Sequence, residues 1–214
     1  MILDYFDAGF VINLDQRQDR MERFLKRIKT LNFNQIQRFS GIMPNDGAFS
    51  YMKYYSNDKF RKYKAGCTLS HLSLYKIAKD NKYKSILIFE DDCVFHENFT
   101  EKINLYISDL KSIEWDLFYL GGQPIGKGTN ISNNLIKVDG VYSTHAYAIN
   151  DCFYETALSL NPNYIDAIDI GLLHSKAKNI ICKEVLCWQE GGYSDCHGQV
   201  SDSRQILENA YKNL

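Results

Sequence analysis

One stretch constrains the fold more than any other: a short apolar run that ends in three consecutive acids. Residues 86–89 are apolar, rich in β-formers and bounded by polar positions. Such a run is typical of a strand that is buried on both faces of a sheet. Glu90, Asp91 and Asp92 follow it at once. Because ligands of open α/β sheets bind where strands end, these acids are predicted to lie at a binding edge.

Three adjacent carboxylates repel one another and resist ionisation unless a cation compensates their charge. Hard oxygen ligands of this kind favour Mg²⁺ or Mn²⁺, and such an ion commonly faces a phosphate. An acidic turn exposed to water is the alternative interpretation. The buried strand that aims the acids favours the metal site.

A second strand, residues 10–14, is followed by a helix whose apolar residues recur at helical spacing from Met21 to Leu31. Asp15 is predicted to cap this helix. Arg17 and Arg20 lie three residues apart near its start, where guanidinium groups suit a phosphate or a nucleotide, although a solvated helix face is the alternative. The glycine fingerprint of dinucleotide-binding folds is absent, which argues against NAD or FAD.

Periodicity along the rest of the chain predicts an α/β fold in one domain, residues 1–214, with a mostly parallel central sheet flanked by helices and a small antiparallel addition. A helix is predicted to open at Gly66 and to carry His71 as a structural residue behind the metal site. The aromatic-rich segment 51–63 is either a lid over a ligand or an irregular, half-buried stretch. Strands are predicted at 36–39, 115–120, 135–138, 141–149, 180–181 and 185–188, the third and fourth forming a pair, and further helices at 99–110, 151–160 and 202–214.

Two later segments carry polar residues that capping and surface loops do not fully explain. Asp166 and Asp169 lie three residues apart near a helix start, where capping accounts for one acid. The other, close to an apolar run, suits a general base. His197 lies in a glycine-flanked loop and could return to the metal.

Bulk properties exclude several classes of protein. The 214 residues include 45% hydrophobic residues, enough for one sizeable core, and the formal net charge of −1 predicts no avidity for nucleic acid or anionic lipid. No apolar run reaches the roughly 20 residues needed to span a bilayer, and the N-terminus lacks the basic region of a secretory signal. The six scattered cysteines form no Cys-x-x-Cys pair, so free thiols and a cytoplasmic location are expected.

Four segments, taken in order and spacing, resemble glycosyltransferase family 25, which includes lipooligosaccharide and collagen hydroxylysine galactosyltransferases. The segments are residues 11–20, 66–71, 86–92 and 144–150. The resemblance runs from about Phe10 to Asp195, nearly the whole chain. The loop around Ser40 and Gly41 departs from the family by lacking an Asp-Gly pair.

The resemblance implies a GT-A fold, a UDP-sugar donor and Mn²⁺ (or Mg²⁺) at a DXD-type motif. It makes Glu90 and Asp92 metal ligands, with His197 from a late loop as a further one. An inverting reaction needs a base, for which Asp169 or Asp166 stands in the family's position. The residues that the resemblance assigns to binding the nucleotide sugar are Asn13, Arg17, Arg20, Ser70, His71, Asp91 and Tyr147.

The sequence therefore predicts a metal-dependent glycosyltransferase that moves a hexose, galactose or glucose, from a UDP-sugar to a glycan or hydroxylated acceptor with inversion. A nucleotidyltransferase acting on a sugar phosphate is one alternative. A non-catalytic carbohydrate- or metal-binding module is the other. Arg17 and Arg20 favour the two readings that use a nucleotide.

Overall fold

The computed structural model describes residues 5–31, 35–43, 59–162, 167–193, 200–201, 203–212 and 214. The helices are α1 (Gln18–Thr30), α2 (Lys59–Asp80), α3 (Phe99–Leu110), α4 (Tyr154–Leu158, after a 3₁₀ helix over Asp151–Phe153), α5 (Ile168–His174) and α6 (Ser203–Tyr211). The first seven strands are β1 (Ala8–Asn13), β2 (Ile36–Ser40), β3 (Ser85–Glu90), β4 (Cys93–Phe95), β5 (Leu117–Tyr119), β6 (Gln123–Ile125) and β7 (Thr129–Asn130). The remaining strands are β8 (Leu135–Val138), β9 (Gly140–Tyr142), β10 (Ala146–Asn150), β11 (Asn179–Cys182), β12 (Cys187–Gln189), β13 (Gly192–Tyr193) and β14 (Val200–Ser201).

The central sheet has eight strands in the order β2-β1-β3-β10-β5-β11-β8-β7. Strand β1 pairs in parallel with β2 and β3, and β5 pairs in parallel with β11. Strand β10 runs antiparallel between β3 and β5, and β8 is antiparallel to both β11 and β7. The α/β class is thus confirmed, with a mixed sheet in which the antiparallel share is larger than the sequence predicted.

Alternation along the strands builds a core on each face of the sheet. In β3, Leu87 and Phe89 pack with α1 and α3 on one face. Ile86 and Ile88 pack with α2, α4 and α5 on the other. All four side chains are fully buried, and each such burial stabilises the fold by about 1.5–3 kcal/mol. The buried strand predicted from the sequence is confirmed.

Strand β10 starts at the edge where β1 and β3 end, because it runs against them. Ala146 pairs with Phe89, and the Glu90 backbone N–H donates a 2.9 Å hydrogen bond to the His145 carbonyl. Asn13 at the end of β1 lies two strands away on the same edge. One edge of the sheet therefore collects polar residues from three separate segments of the chain.

The predicted pairing of 135–138 with 141–149 is wrong. The second segment divides into β9 and β10 at Ser143, whose φ of 77° breaks the extended backbone. Strand β9 pairs with β6, while β10 enters the central sheet. The alternation of apolar and polar residues identifies a strand but cannot show which strands are its neighbours. The break between β9 and β10 depends on the backbone conformation of a single residue, Ser143.

Two helix starts also differ from the predictions. Helix α2 begins at Lys59, so Gly66 lies inside it and the last part of segment 51–63 is helical; residues 51–58 lie outside the described part of the chain. Arg17, and not Asp15, precedes the first residue of α1. The Asp15 carboxylate instead accepts hydrogen bonds from Arg38 and Ser40, which come from β2.

Among the described residues, no helix has both the length and the apolar character that crossing a membrane would require.

Candidate active site

A cleft opens at the edge where β1 and β3 end. Its walls are residues of β1, the loop 41–43 and one face of α2, and Arg20 of α1 also reaches it. Glu90 and Asp91 line it from the end of β3. The predicted binding edge is therefore a concave site with acids on one side, as ligand sites in α/β folds commonly are.

Asp91 is held from two sides. Asn13 Nδ2 donates a 2.7 Å hydrogen bond to Asp91 Oδ2, and Arg20 Nη1 lies 3.4 Å from Asp91 Oδ1. Burial raises the pKa of Asp91, as does the neighbouring Glu90, while the bond from Asn13 and the charge of Arg20 act in the opposite direction. Both carboxylate oxygens of Asp91 are thus engaged by protein groups.

Asp92 has one oxygen without such support. Its Oδ1 is buried and has no hydrogen-bond partner among the described residues, and Oδ2 lies 3.7 Å from Arg20 Nη1. Burial raises the pKa of Asp92 to about 7, and the charges of Glu90 and Asp91 add to the effect, against the charge of Arg20. A buried carboxylate oxygen without a partner is costly unless a cation or a proton meets it.

The pKa of Glu90, unlike that of Asp92, is lowered. Thr144 Oγ1 donates a 3.0 Å hydrogen bond to Glu90 Oε1, and His71 Nε2 lies 3.5 Å from the same oxygen. Burial alone would raise the pKa of Glu90, but His71, His145 and the bond from Thr144 together lower it. Glu90 is therefore held as a carboxylate beside Asp92.

The three acids differ in whether protein groups already occupy their oxygens, and this difference decides which of them could bind a hard divalent cation. Asp91 is occupied by Asn13 and Arg20. Glu90 and Asp92 offer oxygens of the type that Mg²⁺ and Mn²⁺ prefer, and Asp92 Oδ1, which has no hydrogen-bond partner within the described part of the chain, would accept a cation at this end of β3. The donor set fits the cation.

Behind Glu90 lies a chain of buried aromatic and polar side chains. His71 Nδ1 lies 2.8 Å from the Tyr147 hydroxyl, which in turn contacts the Tyr75 hydroxyl. The Tyr147 ring stacks on Tyr119 with centroids 5.6 Å apart. Tyr147 is fully buried, so any contribution it makes to ligand binding acts through His71.

Two other residues predicted to bind the nucleotide differ in position. Ser70 lines the cleft, where its hydroxyl accepts from the Ile42 backbone N–H at 2.8 Å and donates to the Gly66 carbonyl. Arg17 pairs with Asp19 at 3.1 Å on the exposed side of α1 and is not among the described residues that line the cleft. For Arg17, contact with a nucleotide stays a prediction.

Asp169 lies in the first turn of α5 and faces the turn before β10. Its Oδ2 accepts a 3.0 Å hydrogen bond from the Ser143 backbone N–H, and its Oδ1 accepts one from Ile170 at 2.9 Å. It therefore supports the turn that presents Thr144 to Glu90. Asp166 and His197 lie outside the described residues, so their roles stay predictions.

Sequence reasoning did not single out Thr144 or Cys67 as site residues. Thr144 reaches Glu90 from the turn between β9 and β10, 54 positions later in the chain. Cys67 lines the cleft one helical turn before His71. The spacing of four residues between Cys67 and His71 was the available signal, because it places both on one face of a helix.

Comparisons with known proteins match this chain to one family. The family model described as glycosyltransferase family 25 (LPS biosynthesis protein) matches residues 6–145. Procollagen galactosyltransferase 2 from Mus musculus is 29% identical over 169 residues, which cover 68% of this chain and 26% of that protein. The inactive glycosyltransferase 25 family member 3 from Homo sapiens is 30% identical over 161 residues, which cover 67% of this chain and 27% of that protein.

A viral relative and one solved structure extend these matches. The procollagen lysyl hydroxylase and glycosyltransferase of Acanthamoeba polyphaga mimivirus is 30% identical over 185 residues, 73% of this chain and 20% of that protein. A solved structure from STIV has a TM-score of 0.50 and 11% identity, covering 90% of this chain and 91% of the other, a likeness that shows the fold alone. The chain spans about a quarter of the length of the curated relatives it matches. The mixed sheet flanked by helices confirms the predicted α/β fold.

Proposed function

The chain belongs to glycosyltransferase family 25, and from this premise we propose that it transfers a hexose, galactose or glucose, from a UDP-sugar to a hydroxyl group with inversion at the anomeric carbon. The acceptor class is a glycan or a hydroxylated protein side chain, since the matched relatives include procollagen galactosyltransferases. We further propose that residues 1–214 act as one domain.

One observation carries the proposal: Asp92 Oδ1 is buried, has no hydrogen-bond partner among the described residues, and belongs to a side chain close to Glu90, which lines the cleft. Two carboxylates so close together repel each other, and a bound cation would offset this repulsion. Glu90 and Asp92, with His197 as a further ligand, would hold Mn²⁺ or Mg²⁺. When bound, the ion supplies Lewis-acid stabilisation of the diphosphate that leaves.

Arg20 supplies a second positive charge at the same place. Its guanidinium lies 3.4 Å from Asp91 and 3.7 Å from Asp92 and reaches the cleft. Asp91 and Asn13 keep it there, in reach of a phosphate oxygen. Guanidinium groups bind phosphates through charge-assisted hydrogen bonds. The remainder of the nucleotide would lie between loop 41–43 and the α2 face that carries Ser70.

The proton of the acceptor hydroxyl needs a base, and Asp169 is the described residue best suited to this role. Asp169 would take the proton as the acceptor oxygen attacks the anomeric carbon, while the bond from that carbon to the phosphate oxygen breaks and UDP leaves. Its contact with Ser143 puts it beside the turn that leads to Thr144 and Glu90. Asp166 is the alternative base.

A second candidate function is a non-catalytic module that binds a carbohydrate or a metal. One relative at 30% identity is named as an inactive family member, which is the observation that favours it. Such a module would bind its ligand and release no product. A nucleotidyltransferase would instead release pyrophosphate from a nucleoside triphosphate and a sugar phosphate.

Product analysis separates the three functions. The chain is incubated with Mn²⁺ and a panel of UDP-sugars, with and without hydroxylysine-containing collagen peptides or oligosaccharide acceptors. The proposal predicts UDP release from UDP-galactose or UDP-glucose, stimulated by an acceptor and abolished by Asp92→Asn. Pyrophosphate release from UTP and a hexose phosphate would contradict it, and binding of UDP-sugar without UDP release would favour the non-catalytic module.

A further inference from the structure

Glu90, one of the proposed Mn²⁺ ligands, also belongs to a second donor set of different chemistry beside the cleft. The Cys67 thiol, the His71 imidazole and the Glu90 carboxylate each offer one donor atom, and the three atoms lie within 4.8 Å of one another. Cys67 and His71 lie four residues apart on α2, the spacing by which helical zinc motifs present two ligands on one face. Glu90 approaches from the end of β3.

His71 is the residue that indicates a ligand. It is fully buried, and its Nε2 makes no hydrogen bond within the described part of the chain, although Glu90 Oε1 lies 3.5 Å away. Two ligands about 2.0 Å from one tetrahedral ion lie roughly 3.3 Å apart, so this separation already suits a shared ion. The other ring nitrogen, Nδ1, is fixed by the Tyr147 hydroxyl at 2.8 Å, which is how metal-binding histidines are usually oriented.

We propose that Cys67, His71 and Glu90 bind a thiophilic divalent cation of the Zn²⁺ type, with the fourth coordination position open to the cleft. Thiolate and imidazole ligands select such ions over Mg²⁺ or Mn²⁺. On binding, the Cys67 thiol gives its proton to the buffer and the resulting thiolate coordinates the ion. Where the proposed transferase function holds, the two ions compete, because both need Glu90.

The test uses Co²⁺ as a spectroscopic probe, with no nucleotide sugar present. The folded chain is expected to bind one Co²⁺ with the visible bands of a tetrahedral site and an ultraviolet thiolate-to-metal band. Cys67→Ser should remove the thiolate band and weaken binding at least tenfold. The matched control, Cys152→Ser, changes an exposed cysteine beside Asp116 and should leave the spectrum intact. An unchanged spectrum in Cys67→Ser, or no uptake by the parent chain, would overturn the proposal.

Two further measurements test the site even if Cys67→Ser does not fold. Tyr147→Phe keeps all three ligands but frees His71 Nδ1, and it should weaken Co²⁺ binding by about 10–100-fold while retaining the thiolate band at saturation. In the unmutated chain, Zn²⁺ should slow iodoacetamide alkylation of Cys67 and leave that of Cys152 unchanged. Equal alkylation of Cys67 with and without Zn²⁺ would contradict the site.

The outcome is separable from that of the proposed transferase. Asp92→Asn removes a proposed Mn²⁺ ligand but none of the three thiophilic-site ligands. It should therefore keep the Co²⁺ thiolate band while losing Mn²⁺-dependent binding of UDP-sugar. Loss of the band in Asp92→Asn would mean that the ion sits at the end of β3 and not at Cys67.

Discussion

Asn13 Nδ2 donates a 2.7 Å hydrogen bond to Asp91 Oδ2 and so joins the end of β1 to the turn after β3, 78 positions later in the chain. The same amide group donates to the Arg17 carbonyl, and its oxygen accepts from Arg38 Nε, each at 2.9 Å. Asn13 thus connects both neighbouring strands and the start of α1. It keeps Asp91 turned toward Arg20, which leaves Asp92 and Glu90 as the acids available to a ligand.

Replacing Asn13 by alanine should cost about 1–3 kcal/mol of unfolding free energy, because the change leaves buried polar partners without hydrogen bonds. It should also weaken Mn²⁺-dependent binding of UDP-sugar, since Asp91 and Arg20 lose their support. Urea denaturation and calorimetry measure the two effects. Asn104→Ala on the exposed face of α3 is the control and should change stability by less than about 0.5 kcal/mol. An Asn13→Ala variant as stable as this control would contradict the assigned role.

Asp92→Asn should stabilise the metal-free protein, since it removes a largely buried carboxylate with one oxygen that has no hydrogen-bond partner among the described residues. With its pKa raised from 3.8 to about 7, Asp92 favours the folded state fully below pH 4, and this contribution is lost as the pH rises through 7. The variant's advantage should therefore be larger at pH 8 than at pH 5. Each kcal/mol recovered raises Tm by about 2–4 °C in a chain of this size. A Tm difference that stays constant from pH 5 to pH 8 would contradict the raised pKa.

Thr144→Val removes the hydroxyl that donates to Glu90 Oε1 and leaves a side chain of similar shape. The pKa of Glu90, lowered in part by this bond, should rise, and about 1.5–3 kcal/mol of stability should be lost at neutral pH. A lowered carboxylate pKa stabilises the fold above the ordinary value of 4.5, and this stabilisation disappears as the pH falls. The variant and the parent should therefore converge in acid. Thr156→Val on the exposed side of α4 is the matched control; an equal loss there would refute the role of the Thr144 hydroxyl.

Asp169→Asn should lower transfer by about 10²–10⁴-fold if Asp169 is the base, while affinity for UDP-sugar stays close to that of the parent. The asparagine oxygen can still accept a hydrogen bond from one of the two backbone N–H groups that donate to Asp169. Asp109→Asn is the control, because Asp109 also accepts two hydrogen bonds, from Ser132 and Asn134, outside the cleft. If Asp169→Asn lost donor binding and transfer in equal proportion, Asp169 would be a positioning residue for the Ser143 turn instead.

The parts of the fold that local patterns determine were predictable from the sequence. The run at 86–89 showed a strand buried on both faces, and helical spacing after Arg17 and around Phe99 showed α1 and α3. The position of β10 could not be predicted in the same way. Its pairing between β3 and β5 depends on the reversal at Ser143 and on which neighbours bury its two faces.

In the candidate site, too, local patterns made some features predictable, while features that depend on long-range contacts were not. That the acids would lie together at the end of β3 was predictable, because a buried strand fixes where its last residues point. Which acid serves which purpose was not, since this depends on contacts made across the fold: Asn13 and Arg20 engage Asp91, while Thr144 and His71 engage Glu90.

The most direct test of the central claim is a calorimetric titration of the chain with UDP-galactose and UDP-glucose, carried out with Mn²⁺ and again with EDTA, on the parent and on Asp92→Asn. The claim is that Glu90 and Asp92 hold a divalent cation on which donor binding depends. It predicts saturable binding of at least one donor by the parent with Mn²⁺, and none with EDTA or in Asp92→Asn. Equal donor affinity with and without the ion, or in the parent and the variant, would contradict it.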